Sequence, residues 1–126
     1  MRFCADDLPQ VRRVTAAWAA RAGLPPGRAD DFVIAVHEIA ANAVRYGSPT
    51  ARLLLQVADA GAVQAEVRDS GRWPPAADAA DAASAGGRGL ALARLVCDEV
   101  EIRARDGGTT VLLRMSLAPG GAGRPR

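Results

Sequence analysis

The sequence contains no lysine, because all sixteen of its basic side chains are arginine. A phosphate-binding P-loop ends in a lysine, protein kinases of the common type hold the nucleotide phosphates with a strand lysine, and Schiff-base enzymes need an amine. The lack of lysine excludes all three classes. Any phosphate chemistry in this chain must therefore use other groups.

Cysteine and histidine are also scarce. Cys4 and Cys97 are the only cysteines, too few for a disulfide framework and unable to complete a zinc site alone. We expect both to be reduced, with Cys97 a small core residue. His37 is the only histidine, so the dipeptide "HE" cannot belong to the zinc-protease motif H-E-x-x-H. A phosphoacceptor histidine normally lies on a separate dimerisation helix, so we interpret His37 as a residue beside a site.

Long apolar runs and one-sided charge are lacking as well. No apolar stretch approaches the roughly 18 to 20 residues that a membrane span requires. The beginning of the chain, "MRFCADDLPQ", has no apolar signal segment. We therefore expect a cytoplasmic protein without membrane contact. The formal net charge is only +2 and the arginines are scattered along the sequence, so we expect no direct binding of nucleic acid.

The hydrophobic periodicity predicts helices and strands in a simple order. A length of 126 residues with 49% hydrophobic content suits one domain, which we place at residues 1–118, followed by a disordered tail at 119–126. The order predicts a two-layer α+β sandwich, with three helices on one face of a mixed, mainly antiparallel sheet of four or more strands. The predicted elements are helices at 7–22, from about 28 to 46 and from about 89, and strands at 52–58, 63–68, 99–105 and 109–117.

The second predicted helix carries an acid and an amide one turn apart, Glu38 and Asn42. Both lie about 120° from the core stripe of that helix, on a face whose other residues are mostly apolar. A solvated face would normally carry more charge, so this face favours a site, with a solvated pair as the alternative. The core stripe consists of Phe32, Val36, Ile39 and Ala43, and the apolar neighbours of the pair are Ile34, Ala35 and Ala41.

Three further stretches combine glycines with polar residues. In "EVRDSGRW", Asp69 ends a strand and Gly71 follows in a turn. In "GGRGL", Gly87 and Gly89 open the third helix, where backbone N–H groups and the helix dipole attract anions. "GGTTV" opens the last strand with two threonines. Each stretch alone also fits a plain turn, cap or strand. The triplet "DSG" occurs in aspartic proteases, but their fold is almost entirely β, whereas three helices are predicted here.

Together these stretches resemble a known family. An E-x-x-x-N helix, a strand ending in D-x-G, a lid-like loop, a G-x-G helix start and a G-T-T-V strand resemble the Bergerat ATP-binding fold of the GHKL superfamily. "GRGLALARLVCDEVEI" and "GGTTVLLRM" are most similar to the anti-sigma-factor serine kinases of bacterial partner-switching systems, and the resemblance covers Ala5 to Leu117. The sequence departs from the pattern at Trp73, where the superfamily has a second glycine, and at Tyr46, where it often has histidine.

The resemblance implies a role for each matching residue. Glu38 would be the general base and Asn42 a ligand of Mg²⁺, while Asp69 would accept a hydrogen bond from the adenine amino group. Gly71 would let the base approach closely. The phosphates would be held at the helix start by Gly87, Arg88, Gly89 and Leu90, and Thr110 would support the adenine contact.

The resemblance also implies cofactors and partners. ATP and Mg²⁺ would be the cofactors of a protein-serine kinase that binds a sigma factor and phosphorylates a serine on an anti-sigma-factor antagonist. It further implies a homodimer. The irregular stretch at 69–87 would be a lid that orders when nucleotide binds. Two alternatives stay open: an ATP-binding partner-switch module without kinase activity, and a structural domain whose glycines serve only as caps.

Overall fold

The computed structural model describes residues 1–58, 61–71, 87–105 and 107–117. Most of the predicted lid and all of the predicted tail lie outside these described residues. The described residues form five strands and three α-helices, together with a 3-10 turn at Ala5–Asp7 and a π-helical segment at Ala43–Gly47. In chain order the elements are β1 Arg2–Cys4, α1 Leu8–Ala22, α2 Pro26–Asn42, β2 Thr50–Ala58, β3 Ala62–Asp69, α3 Gly87–Val96, β4 Glu99–Arg105 and β5 Gly108–Ser116.

The strands form one sheet in the order β1-β2-β3-β5-β4. This sheet with helices on one face confirms the predicted two-layer α+β sandwich. The sheet was predicted to be mixed and mainly antiparallel, and all four described pairings are antiparallel. The prediction also missed β1, because three residues are too short to show a two-residue alternation.

The pairing register fixes which residues face the helices. Val67 lies between Leu53 on β2 and Val111 on β5, and all three are nearly or fully buried. Since directly opposed residues share a face of the sheet, odd-numbered positions of β2, β3 and β5 point toward the helices and even-numbered positions point away. We call these the helix face and the outer face. The helix face covers the core.

The first two helices pack their predicted stripes into this core. The stripe of α2, defined above, is fully buried at all four positions, which confirms that prediction. Trp18 of α1 stacks against Phe32 with ring centroids 6.4 Å apart. Gly23 ends α1 with a φ of 106°, a left-handed conformation that glycine adopts at low cost. No helix in the described part of the chain is long and apolar enough to span a membrane.

The end of the second helix differs from the prediction. We predicted α-helix to Tyr46, but α2 ends at Asn42 and the chain continues as a π turn over Ala43–Gly47. The turn is closed by the Ser48 backbone N–H, which donates to the Ala43 carbonyl at 2.9 Å. Turns of this kind insert an extra residue and often occur at functional sites. Here the last residue of the turn, Gly47, packs against Asp69 at the end of β3.

Cys97 lies just after α3 and is 7% exposed. Burial, with a smaller contribution from the neighbouring Asp98 carboxylate, raises the pKa of its thiol to about 12. The thiol therefore stays protonated at neutral pH and packs as an apolar group. This confirms the prediction that Cys97 is a core residue.

Candidate functional site

The predicted acid and amide of α2 lie directly beneath the start of α3. A Cβ atom added to Gly89 would be 3.1 Å from both Cβ and Oε1 of Glu38, and 3.2 Å from Nδ2 of Asn42. Distances this short leave little room for a side chain at position 89. The glycine therefore allows the first turn of α3 to rest on the pair, so that three of the predicted site residues meet at one place.

The two members of the pair differ in exposure. Asn42 is 5% exposed, whereas Glu38 is half-buried. Helical periodicity placed both on a face away from the core stripe, and the structure shows that α3 covers this face. The amide is thus held by packing, while the carboxylate keeps access to solvent. A fixed amide beside a reachable carboxylate suits a site more than a solvated surface.

The first turn of α3 consists of Gly87, Arg88 and Gly89, followed by Leu90. The first N–H groups of an α-helix have no partner within the helix, and the positive end of the helix dipole lies there. This end can therefore hold an anion above Glu38 and Asn42. Leu90 is 6% exposed and belongs to the hydrophobic core, so its side chain anchors the helix.

A second group of site residues lies where β3 ends. Asp69 is 9% exposed and directly opposite Thr109 of β5, so both side chains are on the helix face. The Gly71 backbone N–H donates to Oδ1 of Asp69 at 2.7 Å. The Thr109 hydroxyl donates to the Gly71 carbonyl at 2.9 Å. These bonds fix the D-S-G turn and set a carboxylate and a hydroxyl side by side.

Glycines enclose this carboxylate. A Cβ atom at Gly47 would be 2.4 Å from Cγ of Asp69, and one at Gly71 would be 2.0 Å from the Gly47 carbonyl oxygen. At Gly108 it would be 2.2 Å from the Asp69 carbonyl oxygen. A side chain at Gly71 or Gly108 would require a backbone shift, and one at Gly47 would displace the Asp69 carboxylate. Sequence reasoning treated Gly47 only as a helix stop, because its contact with Asp69 joins elements that are 22 residues apart.

The structure does not bring Thr110 to this group. Thr110 lies opposite Arg68 and Arg103, on the outer face, whereas Thr109 lies beside Asp69. The register therefore places Thr109, which the sequence analysis did not single out, next to this carboxylate, and the predicted adenine contact of Thr110 stays a prediction. The alternation in "TTVLLRM" contained a signal for this. Thr109 is two residues before Val111, so the two side chains are on the same face of the strand, and Val111 lies in the core.

His37 lies beside the site, toward α1. Its ring Nδ1 is 3.3 Å from Nη1 of Arg12. Burial, followed by the positive charge of Arg12, lowers the pKa of His37 below its usual value, although Glu38 opposes the shift. The imidazole is therefore neutral at neutral pH. A neutral ring that faces α1 fits the interpretation that His37 lies beside a site.

Comparison with known proteins identifies the fold family. Residues 3–115 match the histidine kinase-like ATPase domain. The chain belongs to this family. It is therefore an ATPase or kinase-like domain of the GHKL superfamily, and membership implies that it binds ATP.

Two solved structures have the same fold as this ATPase domain. One is the crystal structure of the RsbU and RsbW domains of a Mycobacterium tuberculosis protein, with a TM-score of 0.68 and 26% identity over 92% of this chain and 32% of that chain. The other is a blue-light-activated histidine kinase of Erythrobacter litoralis, with a TM-score of 0.63 and 22% identity over 79% of this chain and 33% of that one. This chain thus spans less than half the length of either protein, and the second likeness bears on the fold alone.

One continuous helical segment connects the two site groups of the ATPase domain. Asn42 ends α2 and Gly47 ends the π turn five residues later, which is roughly 6 to 8 Å along a helix axis. One end presents a helix start suited to phosphates, and the other presents an enclosed carboxylate. Nucleotides have phosphates at one end and a base with hydrogen-bonding edges at the other. The N–H groups at the helix start and the enclosed carboxylate therefore fit the two ends of ATP.

The described residues also fit Mg²⁺ bound together with phosphates. They contain no group of three or more His, Cys, Asp or Glu side chains that could hold a metal by themselves. Mg²⁺ prefers oxygen ligands and keeps several waters, so one protein ligand plus phosphate oxygens can hold it. The buried amide of Asn42, next to the start of α3, is a ligand of that type.

Gly89→Val is expected to weaken ATP binding about tenfold or more. The new side chain would have to displace Glu38 and Asn42, because even its Cβ has only 3.1 Å to Glu38, and overpacking of this kind costs about 1 to 3 kcal/mol. Calorimetric titration with ATP measures the effect, and thermal melting checks the fold. Ala91→Val is the matched control, because Ala91 is an exposed residue of the same helix. Equal ATP affinity in the two variants would contradict the packing argument.

Proposed function

We propose that this domain is an ATP-dependent protein-serine kinase that also acts as an anti-sigma factor. It binds a sigma factor and phosphorylates a serine of an anti-sigma-factor antagonist. The contact of Gly89 with Glu38 and Asn42 carries the proposal, because it sets a carboxylate beside the place where phosphates bind. The likeness to a structure that contains an RsbW domain supports the partner-switching context. On this proposal the domain is a cytoplasmic homodimer.

The phosphate end of the site is formed by the start of α3 and by Asn42. The backbone N–H groups of Gly87, Arg88 and Gly89 donate to the phosphate oxygens, and the Asn42 amide oxygen holds Mg²⁺. When bound, Mg²⁺ neutralises charge on the phosphate oxygens and orients them. Because Asn42 is buried, its amide has little rotational freedom. The side chain is therefore held beside the start of α3 before nucleotide arrives.

Glu38 is the general base of the proposed reaction. Its carboxylate lies one helical turn from Asn42 and against Gly89, so it is beside the phosphate end. Its partial exposure allows the serine of a partner protein to reach it. The carboxylate orients the serine hydroxyl and takes its proton as the oxygen attacks the terminal phosphate. The phosphoryl group passes to the serine, and ADP leaves.

The adenine end is formed by the end of β3 and by its glycines. Asp69 accepts a hydrogen bond from the adenine amino group, and the lack of side chains at Gly71 and Gly47 lets the backbone close around this carboxylate. We assign the supporting hydroxyl to Thr109, because it lies beside Asp69 and already holds Gly71. Thr110, the residue named from the resemblance, lies on the outer face, opposite Arg68.

A second candidate is an ATP-binding partner-switch module that does not transfer phosphate. Trp73, which lies outside the described residues, favours it, because the superfamily has a glycine at that point of the motif. This module would bind ATP and a regulatory protein, but Glu38 would have no catalytic task.

Incubation with labelled ATP, Mg²⁺ and candidate antagonists tests the proposal. We expect transfer of the terminal phosphate to one serine of the cognate antagonist, and no transfer when that serine is replaced by alanine. Pull-down with sigma factors tests the second activity. If the domain binds ATP and a sigma factor but labels no antagonist, the module without phosphoryl transfer replaces the kinase.

A further inference from the structure

The outer face of the sheet carries a row of arginines. Arg2, Arg52 and Arg68 are direct register neighbours on β1, β2 and β3, and the row continues through Thr110 to Arg103 on β4. Adjacent strands are only about 4.8 Å apart, and like charges placed directly opposite one another destabilise a sheet. Folding alone therefore does not favour this row.

Ion pairs neutralise only part of the row. Arg68 pairs with Glu66, and Arg103 pairs with Glu101 at 2.7 Å. Within the described residues, Arg2 and Arg52 have no acidic partner, and both are exposed. Arg114, another arginine of the outer face, differs from Arg2 and Arg52, because it pairs with Glu99 and also donates to Gln64. Positive charge is thus concentrated at the β1 end of the row.

Two cavities lie against these arginines. Both are lined by Arg2, Arg52 and Arg68, one measuring about 400 Å³ and the other about 220 Å³. The larger cavity also has an apolar wall that includes Met1 and Leu54, which are 43% and 51% exposed, and its one acidic lining residue in the described part of the chain is Glu66, the ion-pair partner of Arg68. The three arginines and this wall form what we call the outer-face groove. It combines unneutralised positive charge with apolar surface.

We propose that the outer-face groove binds an acidic, partly apolar segment of a partner protein. Carboxylates would pair with the guanidinium groups of Arg2 and Arg52, where bidentate geometry is available. Apolar side chains of the same segment would cover Met1 and Leu54. The groove is on the face of the sheet opposite the helices and opposite Glu38, so this interaction is separate from the proposed phosphoryl transfer and does not depend on it.

Charge and composition favour a protein segment over nucleic acid. The row next to the arginines contains Leu54, Glu66, Leu112 and Glu101, so a phosphate backbone crossing it would meet two carboxylates. The described outer-face positions of the strands contain no aromatic side chain on which a base could stack. A second copy of this chain would bring an identical arginine row toward the first. A short segment of mixed composition can direct its carboxylates at Arg2 and Arg52 and its apolar side chains past Glu66, which a uniformly charged phosphate backbone cannot do.

Fluorescence anisotropy tests the proposal with a fluorescein-labelled decapeptide of alternating glutamate and leucine. We expect the whole chain to bind it, and Arg52→Glu to weaken binding about tenfold or more, because attraction becomes repulsion. Arg13→Glu is the matched control, since Arg13 is an exposed arginine of α1. Arg52→Gln should have an intermediate effect. A peptide with glutamine in place of glutamate should bind weakly, and circular dichroism checks that each variant is folded.

Four outcomes would overturn the proposal. The first is that the acidic peptide does not bind, and the second is that Arg52→Glu and Arg13→Glu bind it equally well. The third is that an oligothymidine binds through Arg52 while the peptide does not. The fourth is that sedimentation shows Arg52→Glu to dissociate a dimer of this chain. The last outcome would assign the groove to a second copy. ATP affinity, measured in parallel, should be the same in Arg52→Glu as in the unchanged protein.

Discussion

Glu38→Ala is expected to lower the rate of serine phosphorylation roughly 10²- to 10⁴-fold, the usual contribution of a general base, and to leave ATP affinity near that of the unchanged protein. The carboxylate is half-buried against Gly89, where it can reach a serine hydroxyl but is not needed to hold the nucleotide. Phosphate transfer to the cognate antagonist and calorimetric titration with ATP measure the two effects.

The control for this variant is Asp31→Ala, which removes an exposed carboxylate from the same helix. It should change neither quantity. Asn42→Ala should instead damage both, because it removes the ligand that links the protein to Mg²⁺ and the phosphates. If Glu38→Ala phosphorylates the antagonist at the rate of Asp31→Ala, then Glu38 is not the base.

Asp69→Asn is expected to weaken ATP binding roughly 5- to 150-fold, which corresponds to about 1 to 3 kcal/mol for a mispaired buried group. The Gly71 N–H already donates to Oδ1 of Asp69 at 2.7 Å. An asparagine would keep its oxygen for that N–H, so its NH₂ group would face the adenine amino group. Two donors would then oppose each other. Calorimetric titration with ATP measures the loss.

The same variant should change the preference between bases. Guanine presents an acceptor oxygen where adenine has its amino group, so the ratio of ATP to GTP affinity should fall in Asp69→Asn. Asp30→Asn is the control, because it makes the same chemical change at an exposed position of α2. An unchanged ATP affinity in Asp69→Asn would refute the adenine assignment.

The sequence alone determined the layers of this protein and most of its candidate site. Periodicity predicted the three helices, four of the five strands and the buried stripe of α2, because these patterns reflect which faces are withdrawn from water. The order and spacing of the motifs also carried the resemblance to the family, and the match over residues 3–115 shows the membership. Glu38 and Asn42 are one turn apart, and Gly89 opens a helix, whatever the rest of the fold does. Short motifs of this kind are set by local geometry.

Only the tertiary structure decided how the local pieces meet. Gly47 contacts Asp69, and Gly89 contacts Glu38, across long separations in the chain, and no local pattern records such contacts. Pairing register placed Thr109, rather than Thr110, beside Asp69. It also gathered arginines that look scattered in the sequence into one row, because side chains from different strands share a face only after the strands have paired.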